Sequence, residues 1–206
     1  MTAVSLERRR TYHVGNVRGQ LLAAARCILQ ESGRAGLSLR AIADRAGVAP
    51  GTVYYHYADK AALLAGLAID GFRQLAEAMR AAYEVDGDIG GLRSTGGAYL
   101  NFLREKPELY ELMYEALDSG RREDVAAAEA EAFAVSRAAI MADFAGQHAP
   151  ELAGSIADAI WAWGRGIAAV ALSRSLPGHG PEDGAMESAV RGLEALIAGP
   201  VQGRRA

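Results

Sequence analysis

Apolar positions recur along almost the whole chain with the 3.6-residue period of amphipathic helices, and no convincing two-residue alternation marks a strand. β-branched residues are sparse while Ala and Leu abound, which favours helix over sheet. Val17, Leu21, Ala24 and Ile28 make the first stripe, with Leu22, Ala25 and Leu29 alongside. Asn16 stands where an N-cap belongs and Gly33 where a helix should stop, predicting a helix over 17–32. A short helix is expected over 39–46 behind Ser38, broken by Gly47, and a third from about Pro50 to Tyr57. A long helix should then run from about Asp59 to Tyr83, with Leu63, Leu64, Leu67, Phe72, Leu75 and Met79 inward and Lys60 in its first turn.

Residues 86–91, Asp-Gly-Asp-Ile-Gly-Gly, read as a loop. Further helices are expected over 92–106, 107–118, 125–146, 151–174 and 182–198, with Pro107 as a first-turn proline and a turn at 177–181. The tail 199–206 reads as frayed. The fold class is therefore all-α, with a three-helix unit at the N-terminus and a larger helical body behind it.

Composition narrows the classes. The chain has 206 residues, half of them apolar, and mean hydropathy is near zero, as in a soluble globular protein. No run of about 18 apolar residues appears, so no transmembrane helix and no membrane partner are expected. The residues after Arg8, Arg9 and Arg10 are polar rather than apolar, which argues against a secretory signal and for a cytoplasmic protein. Cys27 is the sole cysteine, so neither an intrachain disulfide nor a thiolate zinc cage can form. Charge is uneven: residues 1–60 hold nine basic against four acidic residues, leaving 13 basic and 21 acidic for the rest. A basic front on an acidic body suits a front that meets a polyanion.

The stretch 38–57, Ser-Leu-Arg-Ala-Ile-Ala-Asp-Arg-Ala-Gly-Val-Ala-Pro-Gly-Thr-Val-Tyr-Tyr-His-Tyr, is where chemistry concentrates. Ile42, Ala43 and Ala46 give the first short helix a small face for close packing, and Gly47 can take the positive φ of a sharp turn. Val48 should plug the corner, and Val53 and Tyr57, one turn apart, should point to the core. That leaves Ala49, Pro50, Gly51, Thr52, Tyr55 and His56 outward, a surface without the usual Lys and Glu. Small residues, aromatic faces and hydrogen-bonding tips suit a helix inserted in a DNA major groove. Gly51 weakens a helix by about 1 kcal/mol relative to Ala, and close backbone approach to DNA would account for it. An ordinary helical hairpin with a small-residue contact accounts for the same pattern on these grounds alone.

The run 39–60 resembles the DNA-binding domain of the TetR family in Ile42-Ala43, Ala46-Gly47-Val48, Thr52-Val53-Tyr54, Tyr57 and Lys60, without gaps and at the expected distance from the N-terminus. Residues 12–18 resemble the lead-in of one TetR subgroup. The resemblance implies a flexible basic arm over 1–14, a helix-turn-helix domain over 15–60, and a ligand-binding and dimerisation domain over 61–200. It further implies that Arg40 reaches a base or phosphate, Thr52 a phosphate or base edge, and Tyr54 a phosphate through its hydroxyl. Tyr55 and His56 would touch the backbone or a thymine methyl, and Lys60 a phosphate, helped by the positive end of the long helix. Positions 49–51, which often carry sequence discrimination in the family, are here Ala49, Pro50 and Gly51. With no long polar group there, readout must lean on few side chains and on DNA shape. The arm at Arg8–Arg10 could follow a groove or remain a solvated tail.

In the body, residues 99–113 and 161–168 resemble the TetR C-terminal class marked by Trp followed by His-Gly, except that Arg165-Gly166 stands for His-Gly. A small-molecule effector of unknown identity is implied, with Tyr99, Phe102, Met113, Tyr114, Phe133, Met141, Phe144 and Trp161 as candidate lining, though such residues equally build plain core. The last two helices are the expected homodimer seam, with Gly164, Gly166, Ala168, Ala169 and Ala171 allowing close approach and Leu172, Val190, Leu193, Leu196 and Ile197 filling it.

The resemblance makes the protein a regulator, most readily a repressor that binds a palindromic double-stranded operator as a homodimer and is released by an inducer. The rivals are a helical ligand-binding protein with a vestigial DNA-binding head and an all-α enzyme. The four histidines (13, 56, 148, 179) are scattered, with no zinc helix or di-iron pairing, and His148 with Glu151 supplies only two ligands. No nucleophile elbow or phosphate loop is present. No catalytic residue, metal or cofactor is therefore expected.

Overall fold

Eight helices account for nearly all of the residues described in the computed structural model, which are 16–86, 90–118, 123–146, 149–173 and Ser188. The arm over 1–14, the helix expected over 182–198 (Ser188 apart) and the tail lie outside these residues.

The N-terminal unit forms as its caps dictate. α1 (Val17–Gly36) begins where the Asn16 side chain accepts the Gly19 N–H at 2.9 Å. Its regular path ends at Gly33, which takes φ 62°, and one more turn follows before Leu37. α2 (Leu39–Ala46) starts at Ser38, whose Oγ accepts the Ala41 N–H at 3.1 Å, and α3 (Pro50–His56) carries proline in its first turn. Leu21, Ala25, Leu29, Leu37, Ile42, Ala43, Val53 and Tyr57 close one small core between them.

α4 (Lys60–Asp86) is the spine, running past Tyr83 because Gly87 is the first breaker after it. Its inner stripe of Leu63, Leu67, Phe72, Leu75 and Met79 is fully buried against α5 (Gly91–Glu105), α6 (Pro107–Asp118) and α7 (Glu123–Asp143). α7 starts earlier than Val125 because Glu123 and Asp124 suit a first turn, and stops short of 146, where Gly146 takes φ 78°. Asp143 then accepts the Gly91 and Leu92 N–H groups at 2.7 and 2.8 Å, capping α5 from 52 residues away. α8 (Pro150–Ser173) lies across α7 and α5 with Pro150 in its first turn. The head is tied to the body by α1, which touches α4 and α6 and forms the ion pairs Arg26–Asp70 and Arg34–Glu115.

Candidate nucleic-acid interface

The turn between α2 and α3 is built from backbone bonds. Gly47 sits at φ 67°, ψ 36°, where a Cβ would cost about 1 kcal/mol or more. Its N–H and that of Val48 donate to Asp44 and Ala43 carbonyls at 3.3 and 3.0 Å, satisfying the end of α2 while the chain reverses. α3 then opens at Ala49 without a side-chain cap, and its first residue, Pro50, has no N–H to leave bare. Val53 and Tyr57 anchor it inward, 0 % and 2 % exposed.

This anchoring fixes what faces out. Ala49, Pro50, Gly51, Tyr54 and Tyr55 are exposed, and Thr52 and His56 are half-buried beside them. Tyr55 is 86 % exposed, with its ring edge-on to His56 at 5.2 Å between centroids. An aromatic left this bare gains nothing for the monomer. A Cβ built on Gly51 would meet nothing within 4 Å, and its φ lies outside the left-handed region. The fold therefore does not require glycine there. Gly51→Ala should raise the thermal midpoint by a few degrees, from about 1 kcal/mol of helix propensity, while lowering DNA affinity. Differential scanning calorimetry and gel-shift titration of the same preparation check both signs.

The cations of the head sort into two groups. Arg26 and Arg34 bind acids of the body, and Arg45 holds Glu31, whose carboxyl is pulled below its usual range by that hydrogen bond. Arg18 donates from Nε to the Tyr57 hydroxyl at 3.4 Å and lies over that ring, 5.6 Å from its centroid. Arg40 and Lys60 are exposed and have no partner among the described residues. Lys60 does not sit at a bare helix end. The Asp59 carboxylate accepts the Ala62 N–H at 2.7 Å, so one of the first-turn donors beside Lys60 is already taken.

The candidate effector residues fall into three places. Tyr99 and Tyr114 converge with Tyr110, absent from the sequence-based set, and the Tyr99 and Tyr110 hydroxyls are hydrogen-bonded. Burial pushes all three phenols up, so they remain neutral donors. The Tyr114 hydroxyl is buried without a hydrogen bond among the described residues, and Arg165 lies over its ring at 4.5 Å. Half-buried Trp161 packs on Tyr99 and on Phe133, with centroids 5.7 and 5.3 Å apart. Met113 is core, at 0 % exposure, and Phe102 is turned to the Lys106 ammonium. Met141 and Phe144 sit at the far end of α7 near the Asp143 cap, about 12 Å or more along the helix from Phe133. Tyr110 was detectable only as another aromatic on the inner face of α6.

Among the described residues no cluster of three metal-ligating side chains occurs, and no helix is long and apolar enough to cross a membrane.

Residues 21–67 match the family model for bacterial regulatory proteins of the tetR family, and residues 92–196 match the tetracyclin repressor-like C-terminal domain. A Rhodococcus sp. RHA1 protein of unknown function is 31 % identical in a match covering 89 % of this chain and 96 % of that one, at a TM-score of 0.69. The TetR-family transcriptional regulator PfmR of Thermus thermophilus shares the fold at 18 % identity, covering 86 % and 96 % of the two chains, at a TM-score of 0.51. None of the curated proteins matches the chain.

Proposed function

Because the chain belongs to the TetR family of bacterial regulators, we propose that it is a repressor that grips a palindromic operator as a homodimer and releases it when a small molecule enters the helical body. The observation that carries this reading is the outward face of α3, with its exposed tyrosines and a glycine the fold does not need, together with exposed Arg40 and Lys60, which have no partner among the described residues. A monomer gains nothing from that combination, whereas a major groove supplies partners for each element of it. Thr52 is assigned to a phosphate or base edge, Tyr54 to a phosphate through its hydroxyl, and Tyr55 and His56 to the backbone or a thymine methyl.

A palindrome needs two such helices about 34 Å apart or a multiple of it, hence two chains. Ser155, Ala159, Ala162, Gly166 and Ala169 form an exposed stripe of small residues at three- and four-residue spacing along α8, suited to a helix from a second copy. Gly164 and Ala168 are not part of it. A Cβ on Gly164 would lie 3.5 Å from the Tyr99 ring, and Ala168 is fully buried within the monomer. Val190, Leu193, Leu196 and Ile197 lie outside the described residues. The effector reading rests on the three buried phenols walled by Trp161 and Phe133, which pair an apolar wall with hydrogen-bond donors. The protein would act in the cytoplasm, with the DNA.

Salt titration separates a working head from a vestigial one. Arg40 and Lys60, without a partner among the described residues, give four cations per dimer, so log K should fall against log[salt] with a slope of about −4 or steeper. Arg40→Ala with Lys60→Ala should flatten it. A flat response from the native protein would reject the repressor reading and leave a helical ligand-binding protein.

A further inference from the structure

A cleft of about 400 Å³ opens between α4 and α5, lined by none of the three tyrosines, and one of its walls is an ammonium that forms no ion pair among the described residues. Lys106 is half-buried at the α5–α6 junction. Its Nζ donates to a neutral group, Gln74 Oε1, at 2.9 Å and lies 5.0 Å from the centroid of the Phe102 ring. It forms no ion pair among the described residues, although Glu105 is its neighbour and shares the cleft rim. Arg93, also unpaired among the described residues, lines the opposite end. Two cations against one carboxylate leave the lining at net +1. Ala78, Ala82 and Phe102 add an apolar floor.

Gln74 does more than line the wall. Its Nε2 donates to Asp70 Oδ2 at 2.7 Å, and that same oxygen is held by Arg26 of α1. The amide therefore spans a cation and an anion, its carbonyl toward Lys106 and its NH2 toward Asp70, an arrangement that fixes its orientation. Lys106, Gln74, Asp70 and Arg26 form one hydrogen-bonded chain from the cleft into the DNA-binding head. We propose that this cleft binds a small organic monoanion, a carboxylate on an apolar body, and that its carboxylate draws Lys106 from Gln74 and so loosens the hold of Asp70 on Arg26. The consequence for DNA rests on the repressor reading; the binding and the loosening of α1 do not.

The test uses 4-phenylbutyrate and its neutral twin 4-phenylbutyramide on the intact dimer. Calorimetric titration should show the acid binding about tenfold or more tightly than the amide, with the preference lost in Lys106→Met and kept in Lys106→Arg. Hydrogen–deuterium exchange should show the acid speeding exchange over Leu22–Gln30 several-fold. Lys106→Met, and separately Gln74→Met, should speed the same amides with no ligand and abolish the further effect of the acid. Equal binding of acid and amide, or acid binding that survives Lys106→Met, overturns the site. Preferential binding without any change in α1 overturns the coupling. Either readout works if the head binds no DNA, so its failure is distinct from failure of the repressor reading.

Discussion

Thr52→Ala combined with Tyr54→Ala is expected to abolish operator binding while leaving a folded, dimeric protein. On the proposed assignment each substitution removes one polar contact per half-site, so the proposed dimer loses four. At about 1 to 1.5 kcal/mol apiece the affinity should fall by roughly three to four orders of magnitude. The fold should not notice. Tyr54 is 57 % exposed, neither side chain has a hydrogen-bond partner among the described residues, and alanine is the best helix former. Val53, between them, is fully buried, and Val53→Ala should instead lower stability by opening space in the head core. The comparison separates reading from folding. Circular dichroism and sedimentation should be unchanged in the double variant while gel-shift binding disappears. Unchanged DNA affinity would overturn the assignment of both residues.

What was legible in the sequence was local. Asn16, Ser38 and Gly47 mark their helix ends because a cap bonds backbone only three or four residues away, and the short side chain or missing Cβ is itself the signal. The division of α3 into Val53 and Tyr57 inside and Tyr55 outside follows from helical period alone. Contacts that cross the fold were not legible. Asp143 reads as an ordinary acid at the end of a helix, yet it caps α5, and nothing near it in sequence hints at that partner. Asp59 was legible as the start of the long helix, but not that its carboxylate accepts the Ala62 N–H in the turn where Lys60 stands. Arg165 stood out only as a departure from His-Gly, and its place over the Tyr114 ring required the packing of α8 against the body. The aromatic set was similarly mixed, since helical period tells inward from outward but not which inward residues meet. Tyr99 and Phe133 both meet Trp161; Met141 and Phe144 lie about two turns or more beyond Phe133, where α7 ends.

The junction between head and spine supplies the second large effect. Gly66 lies on α4 against the Tyr57 ring, and a Cβ there would approach Cε1 to 2.8 Å and the hydroxyl oxygen to 3.2 Å. The ring cannot step aside easily: it is 2 % exposed, closes the end of α3, and receives the Arg18 Nε–H on its hydroxyl. Gly66→Ala gains about 1 kcal/mol of helix propensity but forces a packed aromatic to shift, and overpacking of this kind costs about 1 to 3 kcal/mol. Overpacking should win because the obstacle is a rigid ring wedged between two helices rather than the end of a flexible chain. The thermal midpoint should fall by several degrees. DNA affinity should fall with it, since the ring that moves also sets where α3 leaves the head. Tyr57→Leu made on top of Gly66→Ala should recover part of the loss, giving a coupling energy of about 1 kcal/mol or more in a double-mutant cycle. Strictly additive effects, or a Gly66→Ala midpoint at or above that of the native protein, would mean that the head is not wedged to the spine through Tyr57.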